Sequence, residues 1–160
     1  MNIRRATSAD IPAMQLLESR TDSAAHWTRQ NYEELFRPGA TPRRVLVLEE
    51  RGILLAFVVA LAFGTEWEIE MISVCDKVQG TGLGTRLLGE LLRQAGEEGS
   101  HGVFLEVRES NRAARALYEK WDFSPCGFRR GYYSDPPENA VLYRFRFALP
   151  GPASKPVDSK

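Results

Sequence analysis

The sequence has no excess of charge of either sign. Its 160 residues carry 21 lysines and arginines against 21 aspartates and glutamates. Nucleic-acid binding usually leaves a basic excess, so no direct nucleic-acid partner is expected. Long apolar runs are also missing. None reaches the ~18 uncharged residues of a membrane-spanning helix, and the longest, Ile53 to Phe63, has the length of a buried strand. The opening Met1-Asn2-Ile3-Arg4-Arg5 contains no apolar signal-peptide core. The two cysteines, Cys75 and Cys126, make no disulfide framework, and a reducing cytoplasm is the expected compartment. The two histidines, His26 and His101, have no metal-ligand spacing, so no metal is expected and both are read as surface-turn residues. There is no internal repeat.

With 43% hydrophobic residues the chain can bury a core, and its length suits one domain. That domain is expected over 1–149. Residues 150–160 hold three prolines and no core-forming aromatic, the composition of a disordered tail.

The densest signal is Gln79-Gly80-Thr81-Gly82-Leu83-Gly84-Thr85. It follows the strand-like Trp67 to Val74 and opens a helix with apolar positions Leu83, Leu87, Leu88, Leu91 and Leu92. A glycine turn between strand and helix aims several backbone N–H groups at one point. The helix dipole adds partial positive charge there, so the point suits a phosphate or pyrophosphate. Gly80, Gly82 and Gly84 place no side chain in the way.

Around this turn the pattern predicts a short strand over Ile3 to Ala6 and a helix entered at Thr7–Asp10 with Pro12 in its first turn. That helix has Ile11, Met14, Leu16 and Leu17 as its apolar face. A second helix, capped by Thr28, is expected over Arg29 to Phe36. Strands follow over Arg43 to Glu49, Ile53 to Phe63 and Glu66 to Val74, the first two joined by a turn at Glu50-Arg51-Gly52. Beyond the glycine-turn helix come a strand over Gly102 to Arg108, a helix from Asn111 to Lys120, and a strand pair over Ser124 to Tyr132 and Val141 to Phe147. The result is an α/β arrangement: a mixed sheet of about seven strands with helices on both faces and a parallel pair around the glycine turn.

These residues resemble the GNAT N-acetyltransferase superfamily. Gln79, Gly82 and Gly84 fill the fixed positions of its acyl-CoA turn. Leu105-Glu106-Val107-Arg108-Glu109-Ser110-Asn111, Ala116-Leu117-Tyr118 and Arg129-Arg130-Gly131-Tyr132-Tyr133 are similar to its RimI-type subgroup. The resemblance runs from Asn2 to Phe147. It implies a twisted GNAT-type sheet whose strands Trp67–Val74 and Gly102–Arg108 splay apart around acetyl-CoA. It also implies the N-terminal α-amine of a protein as acceptor, in that subgroup the alanine of a small-subunit ribosomal protein. A monomer or weak dimer is expected. Two positions depart from the pattern. Trp121-Asp122-Phe123 replaces Leu-Gly-Phe, which asks Asp122 to adopt the left-handed conformation. Met71 stands where the subgroup has Asn.

Forming an amide from a thioester requires holding the thioester, polarising its carbonyl, taking a proton from the amine and protonating the thiolate. At pH 7 deprotonation costs about 1 kcal/mol for an α-amine and about 4–5 for lysine. Residues Gln79, Gly80, Thr81, Gly82, Leu83, Gly84 and Thr85 are candidates for the pyrophosphate, and the backbone of Ile72, Ser73 and Val74 for the thioester oxygen. By the resemblance Glu106 is the base and Tyr118 the acid. Glu68 and Glu70 are rivals for the base, since strict alternation puts both on one face with Ile72 and Val74; Glu70 could equally grip the acceptor's ammonium. Asn111 caps its helix, and the resemblance adds a contact with the cofactor. Tyr132 and Tyr133 either staple the last loop or line a peptide groove. Cys75 reads as a small buried residue rather than a nucleophile. Alternatives to the protein acceptor are a small amine or lysine, or a non-catalytic acyl-CoA-binding role.

Overall fold

In the computed structural model the described residues are 1–21 and 26–148; the expected tail, 150–160, lies outside them. Seven strands form one sheet: β1 (Asn2–Arg5), β2 (Arg43–Glu50), β3 (Ile53–Phe63), β4 (Glu66–Val74), β5 (Gly102–Arg108), β6 (Ser124–Tyr133) and β7 (Glu138–Arg146), in the order β1-β2-β3-β4-β5-β7-β6. Every pairing is antiparallel except β4 with β5. That exception follows from the crossover through α3 (Leu83–Glu97), since a parallel pair needs a long connection. No helix among the described residues is long and apolar enough to cross a membrane.

Helices cover both faces. On one, the expected stripe Leu83, Leu87, Leu88, Leu91 and Leu92 of α3 is buried against Leu46, Leu48, Ala56, Val58 and Ala60. Helix α4 (Arg112–Lys120) joins that core through Tyr118. The other face is covered by α1 (Ile11–Ser19) and α2 (Arg29–Glu34), with Met14, Leu17 and Tyr32 packed on Val45, Val47, Phe57, Val59 and Met71. Leu16, expected on the apolar face of α1, points outward and is half exposed. Glu18 is buried; it accepts hydrogen bonds from the backbone N–H of Trp27 (2.7 Å) and from the Tyr32 hydroxyl. Burial and that carboxylate push the Tyr32 phenol above its usual range. The bond to Trp27 fixes the chain where it enters α2.

The predicted bounds of β3, β4 and β5 match the structure. β7 begins three residues before the expected Val141, because Glu138 and Asn139 pair or bond across the ladder despite being polar. Asp122 has φ of 63°, the left-handed conformation required where the helix ends without glycine.

Trp121 locks α4 onto α3. Its indole Nε1–H donates to the Thr85 carbonyl (3.1 Å), and its ring lies over Gly89. A Cβ at Gly89 would sit 2.7 Å from Cζ2 of that ring. Helix propensity alone favours alanine over glycine by up to about 1 kcal/mol, but the clash opposes it, at the ~1–3 kcal/mol typical of overpacking. Gly89→Ala should therefore lower the thermal midpoint; a raised midpoint would show that the indole is not held in place.

Candidate active site

β4 and β5 pair only from Glu66–Gly102 to Ile69–Leu105. Beyond that, β4 stays with β3 as far as Val74–Ala56, and β5 stays with β7 as far as Arg108–Ala140. The two central strands therefore part, and the parting starts at a bulge. Val59 pairs with Met71 and Ala60 with Ile69, so Glu70 is an extra residue in β4. One inserted residue reverses which way later side chains face. Ile69, Ile72 and Val74 all lie toward the α3 core, while Met71 packs against the α1–α2 core. Glu68 pairs with Leu61 and Ser73 with Phe57, on the Met71 side. This corrects the strict alternation that put Glu68 and Glu70 on one face with Ile72 and Val74.

A cavity of about 320 Å³ fills the parting. Its floor is Glu68, Glu70, Met71 and Ile72 of β4 with Glu106, Val107 and Arg108 of β5. Asn111, Ala114 and Tyr118 line one side, and Tyr132, Tyr133 and Trp27 the other. Glu106 lies on the Glu68 side of the sheet, because Glu68 pairs with Phe104, two residues from it. Its carboxylate meets the Arg129 Nε at 3.0 Å, and its nearness pushes the Tyr132 phenol above its usual range. Both oxygens of Glu70 are held by Arg43, at 2.6 and 3.2 Å. Burial, then the neighbouring charges of Glu70 and Glu106, push the Glu68 carboxyl above the usual carboxylate range, against the opposing pull of Arg129 and Arg43. Tyr133 has Arg108 over its ring at 4.4 Å, and burial with the Glu106 charge pushes its phenol up to about 12. Tyr118 is 4% exposed, and burial raises its phenol further.

Asn111 does cap α4: its side chain accepts from the Ala114 N–H at 3.1 Å. In the glycine turn, Gly80 and Gly82 have φ of 79° and 88°. The first bond of α3 joins the Arg86 N–H to the Gly82 carbonyl, so the N–H groups of Leu83, Gly84 and Thr85 precede the helical ladder. Two expected donors are engaged elsewhere: the N–H of Gln79 bonds Asp76 and that of Thr81 bonds Val78. The Gln79 side chain instead ties the turn to β4, donating to the Val74 carbonyl (3.2 Å) and to Asp76 (3.0 Å). Gly84 serves packing rather than access, since a Cβ there would lie 3.3 Å from Leu117 Cδ2 and 3.5 Å from Val74 Cγ2. The Ser73 hydroxyl is buried against Thr21 (3.0 Å), which leaves backbone groups as that residue's contribution to the parting.

Sequence reasoning did not foresee Trp27 or Arg108 lining this cavity, nor Arg43 and Arg129 on its carboxylates. Arg129 belongs to a quoted motif, but its direction depends on an irregular edge strand. Cys75 is half buried beside the α1–α2 core, and His26 and His101 are exposed. Among the described residues no group of three or more His, Cys, Asp or Glu could hold a metal.

The model of the Acetyltransferase (GNAT) family matches residues 12–123. The ribosomal protein bS18-alanine N-acetyltransferase of Escherichia coli is 33% identical over 138 residues, 84% of this chain and 90% of that protein. The protein of the same name from Haemophilus influenzae is 39% identical over 100 residues, 61% of this chain and 68% of its own. The crystal structure of the ribosomal-protein-S18-alanine N-acetyltransferase from Escherichia coli superposes with a TM-score of 0.84 at 29% identity, covering 94% of this chain and 96% of that one.

The raised Glu68 carboxyl has a stability consequence. A group whose folded pKa lies above its unfolded value favours the fold while protonated, and that contribution is lost as pH rises through the folded pKa. Glu68→Gln should therefore raise the thermal midpoint at pH 7–8 and change it little near pH 4. An equal shift at both pH values would mean that the Glu68 charge is not strained by its neighbours.

Proposed function

The chain belongs to the GNAT acetyltransferase family and is an acetyl-CoA-dependent N-acetyltransferase, and we propose that its acceptor is the N-terminal α-amine of a protein, an alanine-starting ribosomal protein. The observation that carries this reading is the convergence of Glu68, Glu70 and Glu106 where β4 and β5 part, with Tyr132 and Tyr133 across the acceptor side. An ammonium is the natural ligand of such a place. Arg43 and Arg129 already face two of the three carboxylates, so the cluster suits a single positive charge. The names borne by relatives over most of their length support an alanine acceptor. We place the reaction in the cytoplasm, carried out by a monomer or weak dimer.

Acetyl-CoA supplies the acetyl group, activated as a thioester. The N–H groups of Gly80 and of Gly82 to Thr85 hold the pyrophosphate at the start of α3, with Gln79 keeping the turn against β4. Over Ile72 to Val74 the β5-side edge of β4 has no paired strand among the described residues, and its backbone N–H polarises the thioester oxygen. Asn111 sets the start of α4 beside the cofactor. Glu70, fixed by Arg43, orients the acceptor's ammonium. Glu106, held by Arg129, takes the proton from that ammonium, directly or through a water. Tyr118 protonates the departing thiolate. Burial keeps its phenol loaded at neutral pH, and the same dry setting makes the thiolate a stronger acceptor.

Acceptor choice tests the reading first. Acetyl transfer should be fast to an alanine-starting peptide and slow to spermine or to a lysine peptide with a blocked N-terminus; preference for either of the latter would contradict it. Glu106→Gln should then lower the rate by about 10²–10⁴ with acetyl-CoA binding intact. If Glu68→Gln or Glu70→Gln shows that loss instead, the role moves there. Tyr118→Phe should slow transfer least from thioesters of acidic thiols, and equal slowing across thiols would remove Tyr118 as the acid.

A further inference from the structure

β6 leaves its ladder for three residues. Arg129 pairs with Ala140 and Tyr133 with Glu138, so Arg130, Gly131 and Tyr132 stand opposite Asn139 alone. Gly131 has φ of 58°, a conformation that favours glycine. Such a segment has many ways to lie unless something selects one. Asn139 does so with its amide. Its Oδ1 accepts the Gly131 N–H at 3.0 Å, and its Nδ2 donates to Glu109 at 3.1 Å. The Glu109 N–H in turn donates to the Asn139 carbonyl at 3.1 Å, which anchors the bulge to the turn between β5 and α4.

The bulge delivers Tyr132. Half of that residue is exposed, so burial does not hold it. Its ring meets Tyr133 edge-on at 5.0 Å and lies under the Arg129 guanidinium at 5.5 Å. Arg129, at the root of the same bulge, meets the Glu106 carboxylate.

We propose that Asn139 is a positioning residue for the acceptor side: by accepting the Gly131 N–H it fixes the bulge, and through the bulge it holds the Tyr132 ring against Arg129, whose guanidinium meets Glu106. This rests on the reading of Glu106 as the base. Asn139 touches neither substrate nor Glu106, so its effect passes through Tyr132.

The test uses Asn139→Ala, which removes the acceptor, and Asn139→Asp, made throughout on a Glu109→Gln background, which keeps an oxygen for Gly131 and only reverses donor and acceptor between positions 139 and 109. In Asn139→Ala, kcat/KM for the alanine-starting peptide should fall about three- to tenfold, the scale of one lost hydrogen bond. KM for acetyl-CoA should stay within about twofold, and Asn139→Asp should recover most of the loss. Placed on Tyr132→Ala, which removes the ring that the bulge positions, Asn139→Ala should cost little more. Hydrogen exchange of the Gly131 amide reads the bulge without any acceptor: it should be protected in the native protein and in Asn139→Asp, and fast in Asn139→Ala. An unchanged kcat/KM in Asn139→Ala, a full further loss in the Tyr132→Ala background, or no rescue by Asn139→Asp would overturn the proposal. A fully active Glu106→Gln would instead overturn the assignment of the base, and the exchange data would still report whether Asn139 holds the bulge.

Discussion

The parallel ladder between β4 and β5 ends at Ile69–Leu105, and the functional geometry depends on that ending. A parallel pair in the middle of a sheet would ordinarily be buried and continuous. Here an extra residue, Glu70, interrupts β4 at the point of parting. Because β4 keeps β3 and β5 keeps β7, each strand remains ordered on one side while the edges between them open. The backbone groups on those edges are the ones a thioester and its pantetheine arm can use. The glycine turn follows β4 closely, so one continuous segment, 70–85, carries both the proposed pyrophosphate site and the proposed carbonyl site.

The bulge also decides the electrostatics. By reversing the facing of β4 it separates Ile72 and Val74, which pack toward α3, from Glu68, which lies on the Glu106 side. Carboxylates this close repel one another, and the raised Glu68 carboxyl records it. Arg43 and Arg129 offset part of that repulsion from β2 and β6, so residues far apart in sequence balance the charge on the central strands. The site thus combines a dry wall holding Tyr118 with a charged wall of Glu68, Glu70 and Glu106. In the proposed reaction that separation gives thiolate protonation and amine deprotonation the setting each requires.

Much of this was legible in the sequence. The leucine stripe of α3 is buried as its period implied, and Asp122 is left-handed where glycine was missing. The seven strands and their helices follow from alternation and turn chemistry. What escaped has physical reasons. A single-residue bulge such as that at Glu70 carries no side-chain signature, so alternation was extended through it. Gly84 read as open access because the side chain that crowds it, Leu117, comes from another helix. Glu138 and Asn139 read as loop because they are polar, although both form part of β7 and bond outward to Ser110, Arg108 and Gly131. Arg129 stood in a quoted motif without a role because its direction is set by the same irregular edge. In each case the missing information is tertiary: which neighbour meets the side chain.

The most direct measurement is a crystal structure with coenzyme A joined through an acetyl bridge to the α-nitrogen of an alanine-starting peptide. The account predicts that the pantetheine arm passes between β4 and β5 beyond Ile69 and Leu105, with the pyrophosphate at Gly80–Thr85. The peptide nitrogen should lie within hydrogen-bond reach of Glu106, directly or through one water, and the sulfur beside the Tyr118 hydroxyl. A conjugate bound elsewhere, or with its nitrogen remote from Glu68, Glu70 and Glu106, would contradict it.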